Sequence, residues 1–587
     1  MLITLTQEKI MYTLNELIKA SKKPCQGRSQ KLCVLGNCST QFLSRAIKGY
    51  AFLDGLSMDV LDADYDQITE QILDEGSALY KFQPDIVVIY ICSEKLFEEF
   101  CTDPDPHSFA EKKLALIKAY HERISQKCGA KILQFNFAEP SDRIFGNFGA
   151  KTPVSFIFQL RKLNYLLQEL MAEEKNVFPV DLLSIQSRIG YDSFFPPVQY
   201  HSAKLTIDLN CLPEVAKNVI DVIKAMNGYR KKCVILDLDN TLWGGNVGDC
   251  DLGELEIGSV GRGHAFSDFQ RYIKQLKERG IILAVCSKNN EEAAKKPFEC
   301  LEDMELKLSD IIIFTANWED KASNIRNIIS SLNISADSVV FIDDNPFERN
   351  AVKSLIPEIA VPEMPEDPAD FVAVLKSYNY FETSSYSADD KMRTEQYRTE
   401  FRRKEDLSCF EDYGSYLESL DMQAVCAPFD QLHFARIAEL SQRSNQFNLR
   451  TVRYTEEDIK RIAEDPDNLT LYFTLKDKYG SYGLISAVIM KKVSTDTLFV
   501  DTWILSCRVL KRGMEEFIIN SMIRTAAENG FSYVEAEYVP TAKNGMVKRI
   551  YPDHGFEEIG NDRFRVKVTD HAAFPCHISQ IRSEAVQ

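Results

Sequence analysis

The sequence predicts a multidomain α/β protein in which two parallel-sheet regions precede a mostly antiparallel α+β region. The chain has 587 residues, of which 45% are hydrophobic, and this is enough for several packed cores. As far as about residue 365, short apolar runs alternate with amphipathic helical stretches, which is the pattern of parallel α/β layers. Longer alternating runs follow, as expected of antiparallel strands.

Composition and charge narrow the class of protein. The formal net charge of -18 argues against nucleic acid or an anionic membrane as the main partner. The 15 cysteines are scattered and form no CxxC pair, as expected of reduced thiols in a cytoplasmic protein. The first residues lack the pattern of a signal peptide, and no window is apolar enough to span a membrane.

The first predicted domain covers residues 1–229. Its runs KLCVLGN, PDIVVIYIC and AKILQFNF are typical of buried strands. The runs SEKLFEEF and EKKLALIKAYHERI are typical of helices. This alternation predicts a parallel sheet covered by helices.

The second predicted domain covers residues 230–365 and has four apolar runs: KKCVILDLD, GIILAVCSK, DIIIFTA and SVVFIDD. A helix is predicted between the first two runs, because Phe266, Phe269 and Ile273 fall on one face. Gly280 is placed to end that helix. The pattern again predicts an open α/β sheet.

Residues 366–415 are predicted to form a linker and an exposed connector helix. They begin with a proline-rich acidic stretch and continue with the charged run SADDKMRTEQYRTEFRRKED.

Residues 416–587 form the last predicted domain. Its runs LTLYFTLKD, YGLISAVIMKKV and TLFVDTWIL predict strands, and a helix is predicted around Met514–Asn529.

Two aspartates, Asp237 and Asp239, stand at the end of the first strand of the second domain. Within a strand they would face the same side, at the edge where open α/β sheets bind ligands. Neighbouring carboxylates need a compensating cation or proton, and Mg²⁺ prefers oxygen ligands. A calcium loop of the EF-hand type does not fit, because Thr241 and Leu242 occupy positions that need other residues. For these two aspartates alone, a solvated strand end remains an open alternative.

The other strand ends add polar groups that suit phosphoryl transfer. Ser287 ends the second strand, Lys321 begins a helical stretch, and Asp343 and Asp344 end the fourth strand. A carboxylate can attack phosphorus, and a second acid can protonate the leaving oxygen. A metal ion and a lysine can neutralise the charge that develops.

The order and spacing of these motifs resemble the haloacid dehalogenase (HAD) phosphotransferase superfamily. The resemblance implies that Asp237 is the nucleophile and Asp239 the general acid/base. It implies that Ser287 holds a phosphoryl oxygen and that Lys321 screens the phosphoaspartate. It also implies a Mg²⁺ site with the following ligands: Asp237, the backbone carbonyl of Asp239, Asp343 and, in support, Asp344.

The motifs ILDLDNTLWGG, SKN, NWE and FIDDNP more specifically resemble the FkbH-like branch of that superfamily, subfamily IIIC. Members of that branch take the glyceryl unit of 1,3-bisphosphoglycerate, lose phosphate and deliver a glyceryl thioester to an acyl carrier protein. The resemblance therefore implies a phosphorylated three-carbon donor and a carrier-protein thiol, in a biosynthetic pathway such as polyketide assembly.

Two other functions remain open. A plain phosphatase of a small phosphorylated metabolite would use the same residues, so the motifs do not exclude it. A non-catalytic adaptor with a vestigial HAD core is the third hypothesis. The intact set of Asp237, Asp239, Lys321 and Asp343 argues against the adaptor.

Two cysteines are candidates to carry an acyl group as a thioester. Cys286 directly precedes Ser287, although neighbours in a strand face opposite sides and a core position is the alternative. Cys507 is the second candidate. A thiolate in either place would have to be reactive to capture the acyl unit.

Three further residues are candidates for binding the substrate: Thr241, Lys288 and Asn289. Asn290 departs from the pattern of that family, whose members often have SKND where this chain has SKNN. The substitution keeps hydrogen bonding and removes a charge, so we expect details of substrate or metal binding to differ.

The first domain resembles an SGNH-hydrolase-like fold. The Gly-Asp-Ser of that family corresponds to Gly36–Cys38, and His201 is too far from Asp192 for the late Asp-x-x-His element. Cys38 or Ser39 could pair with His201 as a nucleophile. We favour a degenerate hydrolase fold that serves binding or support.

The last domain resembles the GNAT acetyltransferase fold. The pyrophosphate loop of that family corresponds to Arg508–Gly513, where Lys511 replaces the inner glycine. A side chain there obstructs close approach of the backbone to phosphates, although Lys511 and Arg512 could instead bind a phosphate themselves. We therefore favour binding of a phosphopantetheine arm or carrier protein over acetyl transfer.

Overall fold

A computed structural model describes residues 12–23, 29–249, 251–386, 412–541, 543–560 and 562–581. The chain divides into two compact units, Met1–Lys224 and Ala225–Gln587. The predicted connector helix in SADDKMRTEQYRTEFRRKED lies outside the described residues. Within them, every helix is too short or too polar to cross a membrane.

The first unit contains a parallel five-stranded sheet with the order β2-β1-β3-β4-β5. The strands are β1 (Gln30–Gly36), β2 (Met58–Asp62), β3 (Ile86–Tyr90), β4 (Lys131–Phe135) and β5 (Val177–Val180). The helices are α1 (Leu14–Ser21), α2 (Gln41–Leu53), α3 (Ile68–Leu73), α4 (Ala78–Phe82), α5 (Ser93–Thr102), α6 (Phe109–Lys127), α7 (Phe156–Glu173), α8 (Leu182–Ile189), α9 (Tyr191–Phe194), α10 (Pro197–Ala203) and α11 (Leu212–Met226).

The central strands of this sheet are those that the sequence predicts. β3 is buried throughout, and most of β1 and β4 is buried, which accounts for their continuous apolar runs. The two edge strands, β2 and β5, are absent from the prediction. β2 is largely polar or half-exposed, and β5 carries Pro179, which an edge strand tolerates.

The second unit begins with a parallel four-stranded sheet of order β8-β7-β6-β9. We call this part, from Cys233 to Phe381, the central domain. Its strands are β6 (Cys233–Leu236), β7 (Ile282–Ser287), β8 (Ile313–Ala316) and β9 (Val339–Ile342). Its helices are α12 (Gly261–Glu278), α13 (Glu291–Cys300), α14 (Lys321–Leu332), α15 (Pro346–Leu355) and α16 (Phe371–Tyr378).

The helix α12 has the predicted apolar face. Phe266, Phe269 and Ile273 are fully buried, and Gly280 has the positive φ of 93° that a residue just beyond a helix often adopts. The predicted linker boundary at residue 365 needs correction. Phe371 and Leu375 of α16 are buried in the core of the central domain, because this helix packs on α12.

The remainder of the second unit, which we call the C-terminal domain, contains an eight-stranded mixed sheet of order β15-β16-β14-β13-β12-β11-β10-β17. Among the described strands of this sheet, only β13–β14 and β10–β17 pair in parallel, so the predicted mostly antiparallel α+β arrangement is confirmed. The strands are β10 (Met422–Ala427), β11 (Asn468–Asp477), β12 (Gly480–Lys492), β13 (Thr497–Leu505), β14 (Tyr533–Glu537), β15 (Glu557–Gly560), β16 (Arg563–Lys567) and β17 (Ile578–Ile581). The helices are α17 (Tyr413–Ser419), α18 (Phe434–Arg443), α19 (Glu456–Glu464), α20 (Met514–Glu528) and α21 (Ile550–Asp553).

Candidate active site

The candidate site lies at the carboxyl edge of the central sheet. β6 ends at Leu236, so Asp237 and Asp239 follow the strand rather than lie in it. The backbone N–H of Asp237 still donates to Ile342 O, at 2.9 Å, which holds Asp237 against β9. Asn240 has a φ of 54°, so the chain turns sharply after the second aspartate. The two aspartates thus stand just beyond the strand end, and each carboxylate has its own partners.

Lys321 connects two of the predicted acidic residues. Its Nζ is 2.8 Å from Asp237 Oδ2 and 2.6 Å from Asp343 Oδ2. Lys321 is the first residue of α14, which Asp320 caps, and its side chain is only 4% exposed. Because buried charges are stable only when paired, this lysine and the two carboxylates depend on one another.

The three carboxylates of Asp237, Asp343 and Asp344 offer oxygens within 4.8 Å of one another. One of these oxygens, Asp237 Oδ1, is buried and has no hydrogen-bond partner. A buried anionic oxygen without a donor is costly unless a cation neutralises it. Oxygen ligands and an excess of negative charge fit a divalent cation such as Mg²⁺.

The pKa values of the site reflect the same crowding. Burial, together with the charge of Asp237, raises the pKa of Asp343 from 3.8 to about 7. Burial and Asp237 also raise the pKa of Asp344. Burial on its own would lower the pKa of Lys321, but the charges of Asp237 and Asp343 outweigh it and raise that pKa. The site therefore holds a firmly protonated lysine among carboxylates that repel one another.

The carboxylate of Asp239 is held by three donors outside the acidic cluster. Its Oδ1 accepts from Trp243 Nε1 at 2.9 Å and from the backbone N–H of Val247 at 3.1 Å. Its Oδ2 accepts from Asn289 Nδ2 at 2.9 Å. Asn289 also donates to Ser287 Oγ at 3.2 Å, so it links the ends of β6 and β7. A proton-transfer group fixed in this way has a defined direction.

Two other predicted residues lie in this network. Ser287 is buried at the last position of β7. The Thr241 hydroxyl accepts from the backbone N–H of Asp344 at 3.2 Å, so Thr241 orients the loop after β9. The structure thus brings together the ends of β6, β7 and β9 and the start of α14.

Several residues of the site were missed by sequence reasoning. Arg349 is buried and donates to the backbone carbonyls of Asp343 and Asp344, which fixes the acidic loop. Glu348 forms an ion pair of 2.6 Å with Lys288. The adjacent letters ER in FIDDNPFER were the available signal, but only the fold shows which loops these side chains reach.

Asn290, which departs from the family pattern, has a local structural role. It is the N-cap of α13, and its side chain accepts from the backbone N–H of Ala293 at 3.2 Å. Asparagine and aspartate are both good N-caps, so the exchange leaves this helix start intact.

The two cysteine candidates differ in their surroundings. Cys286 is fully buried in the apolar core, its Sγ lies 3.8 Å from Lys321 O, and burial raises the pKa of its thiol to about 12. This favours the core interpretation, since thiolate formation is suppressed. Cys507 lines a cavity of about 650 Å³ between the central and C-terminal domains. Its backbone carbonyl accepts from Asn333 Nδ2 at 2.9 Å.

In the described part of the first unit, no hydrogen bond joins Cys38 or Ser39 to His201. Cys38 is buried and its Sγ accepts from Thr206 Oγ1 at 3.5 Å. His201 is exposed on α10, where its ring contacts Tyr200. These contacts support the interpretation that this domain serves binding or support.

Two residues of the predicted phosphate loop make contacts within the C-terminal domain itself. Lys511 has a φ of 62°, and its backbone N–H donates to Glu515 Oε1 at 2.9 Å. Arg512 is buried and bonded to the Tyr482 hydroxyl. The backbone N–H of Lys511 is therefore bonded within the domain, whereas the GNAT resemblance implies N–H groups that face a phosphate.

Comparison with known proteins assigns two parts of the chain. The family model for the FkbH N-terminal domain matches residues 31–224, and the model for NLI interacting factor-like phosphatase matches residues 232–360. The N-terminal part of protein BF1531 from Bacteroides fragilis, which contains a phosphatase domain complexed with Mg, is 41% identical, with a TM-score of 0.61. That match covers 64% of this chain and 100% of the other. No curated protein matches.

The C-terminal domain has only distant similarities. The ribosomal-protein-S18-alanine N-acetyltransferase from Escherichia coli is 13% identical, with a TM-score of 0.20, over 25% of this chain and 94% of that chain. The GNAT domain of S. lividans PAT is 15% identical, with a TM-score of 0.20, over 24% of this chain and 89% of that chain. Scores this low support no assignment, so the GNAT-like fold stays a prediction.

Proposed function

Because this chain belongs to the FkbH-type proteins with a HAD-like phosphatase domain, we propose a Mg²⁺-dependent acyl transfer from a phosphorylated donor as its function. The family makes the chain an enzyme of the phosphatase type. The donor that we propose is a three-carbon acyl phosphate, 1,3-bisphosphoglycerate, and the acceptor is the thiol of an acyl carrier protein. The pathway would be a cytoplasmic biosynthesis such as polyketide assembly.

The observation that carries this proposal is the pairing of Asp237 with Lys321 beside an unpartnered, buried oxygen, Asp237 Oδ1. Asp237, Asp343 and Asp344 would hold Mg²⁺ together with the backbone carbonyl of Asp239. When bound, the ion supplies neutralisation of phosphoryl charge. Lys321 supplies a fixed positive charge next to the same oxygens.

The two alternative reactions, acyl transfer and hydrolysis, break different bonds of the donor. In acyl transfer, Asp239 takes the proton of the carrier thiol, the resulting thiolate attacks the acyl carbon, and the C–O bond to phosphate breaks so that inorganic phosphate leaves with the bonding electron pair. In hydrolysis, Asp237 attacks phosphorus and the P–O bond to the leaving group breaks. Asp239 then protonates the leaving oxygen, and water cleaves the aspartyl phosphate.

Intact-protein mass spectrometry tests the proposal directly. The enzyme would be mixed with Mg²⁺, freshly generated 1,3-bisphosphoglycerate and candidate holo carrier proteins, beside Asp237→Asn and Cys286→Ala. We expect a glyceryl adduct on the carrier that disappears in Asp237→Asn. Because Cys286 is buried with a raised pKa, we expect the adduct to persist in Cys286→Ala.

Each other outcome has a defined meaning. Phosphate release without any adduct would favour the plain phosphatase. Loss of the adduct in Cys286→Ala, with an acyl group trapped on the unmodified enzyme, would show a covalent relay through that thiol. Neither phosphate nor adduct with any donor would favour the adaptor hypothesis.

A further inference from the structure

The ion pair between Lys288 and Glu348 spans the edge of the sheet above Asp237. Lys288 directly follows β7, and Glu348 lies in the first turn of α15, after β9. β7 and β9 flank β6, and neighbouring strands are about 4.8 Å apart. The 2.6 Å contact between Lys288 Nζ and Glu348 Oε1 therefore joins the loops on either side of the one that carries Asp237.

Burial differs sharply between the two partners. The Glu348 side chain is 11% exposed, whereas the Lys288 side chain is 37% exposed. A buried carboxylate is costly without its cation, so Glu348 holds the Lys288 ammonium in one place. An ammonium has three N–H donors, and the bond to Glu348 uses one of them. Lys288 is thus a fixed cation that still reaches solvent.

Lys321 and Lys288 differ in burial and in the partners that they already have. Lys321 is almost fully buried and engaged with both Asp237 and Asp343. A phosphoryl group that reaches Asp237 meets Lys321 first. Lys288 stands at the end of the neighbouring strand β7, at the same edge of the sheet, and its side chain is far more exposed than that of Lys321.

We propose that Lys288, positioned by Glu348, binds a second anionic group of the substrate. The site then selects phosphorylated donors that carry another phosphate or a carboxylate. This inference rests on the proposed function, because it takes Asp237 as the place where the phosphoryl group reacts. Lys288 is the binding residue, and Glu348 is a positioning residue.

The test compares two acyl phosphates on the full chain with Mg²⁺. One is 1,3-bisphosphoglycerate, which carries a second phosphate, and the other is acetyl phosphate, which does not. The measured quantity is the ratio of their kcat/KM values. We expect Lys288→Met to lower this ratio about 10- to 100-fold, the range for loss of a charged hydrogen bond.

Further variants distinguish a loss of Lys288 positioning from a general loss of folding. Lys288→Arg should retain most of the ratio because it keeps the charge. Glu348→Gln should lower the ratio by raising KM for 1,3-bisphosphoglycerate while kcat changes little. Lys295→Met is the matched control, since Lys295 is exposed to a similar extent and pairs with Glu291 within α13, and it should leave the ratio unchanged.

A binding measurement makes the test independent of turnover. Calorimetry would compare 3-phosphoglycerate, with two anionic groups, and glycerol 3-phosphate, with one. We expect Lys288→Met to reduce the affinity ratio of the two ligands by a similar factor. An unchanged ratio in both experiments, or an equal loss on both members of each pair, would overturn the inference. Absence of phosphate release with an intact affinity ratio would instead count against the proposed function.

Discussion

At the scale of single residues, the site contains more negative charge than its one buried lysine neutralises. Lys321 offers one positive charge to Asp237 and Asp343, and Asp344 adds a third carboxylate beside them. Burial, together with the charge of Asp237, raises the pKa of Asp343 to about 7. An arrangement that is unfavourable alone becomes favourable when a divalent cation enters, which is typical of sites prepared for a ligand.

The effect of burial on the pKa of a carboxyl group can be tested at Glu94, which lies outside this site. Burial raises the pKa of this half-buried carboxyl group in α5 from 4.5 to about 7. The folded state thus binds a proton more tightly than the unfolded state, so the stability contributed is present below pH 4.5 and is lost as the pH rises to about 7. We expect Glu94→Gln to be more stable than the unmodified protein at pH 8 and similar to it at pH 5, by urea unfolding.

The matched control for Glu94→Gln is Glu169→Gln, which changes a carboxylate in α7 of the same unit. The control should show the same stability difference at pH 5 and pH 8. If Glu94→Gln also showed equal differences at the two pH values, the carboxyl group would be ionised in the folded protein and the assigned shift would be wrong.

The sequence predicts those site residues that directly follow a strand or begin a helix. Asp237, Ser287, Lys321 and Asp343 stand at such positions, because a sheet edge collects strand ends whatever the rest of the fold. Glu348 was not predictable, since its importance depends on reaching Lys288 from another loop. The contact of Asp239 with Trp243 was not predictable either, because it depends on the turn at Asn240 that brings Trp243 back to this carboxylate.

At the scale of secondary-structure elements, burial decides which ones the sequence predicts. Central strands such as β3 show continuous apolar runs and are readily recognised, whereas the short edge strands β2 and β5 are not. The sequence predicts a linker where α16 lies, because proline-rich, acidic residues precede this helix. This helix has only 8 residues, about two turns, and its partner, α12, lies about a hundred residues earlier.

Phe371→Ala tests whether α16 belongs to the central domain. Phe371 is 2% exposed and packs edge-to-face against Phe266 and Phe269. Truncation of a buried phenylalanine typically costs about 3–5 kcal/mol, so we expect a clear loss in thermal unfolding of this domain. Phe347→Ala, at a side chain that is 74% exposed, is the control and should change stability little. Equal, small effects of both substitutions would restore the linker interpretation.

At the scale of the whole molecule, the acidic cluster couples the metal to the stability of the fold. A ligand that binds only the folded state stabilises it by about 2.7 kcal/mol at a hundredfold excess over its Kd. Mg²⁺ should therefore raise the Tm of the unit that contains Asp237 and Asp343. The effect should be absent from the unfolding of the first unit, since the described acidic cluster lies wholly in the second.

Asp343→Asn separates this mechanism from general ion effects. The substitution removes one proposed ligand and one buried charge, so we expect the Mg²⁺-dependent rise in Tm to disappear in differential scanning calorimetry. Asp370→Asn, at an exposed acid of the same domain, should keep the full rise. If Asp343→Asn kept it as well, Mg²⁺ would be acting elsewhere on this acidic chain. The unpartnered Asp237 Oδ1 would then need a different explanation, such as a proton shared with Asp343, whose raised pKa makes that the next group to examine.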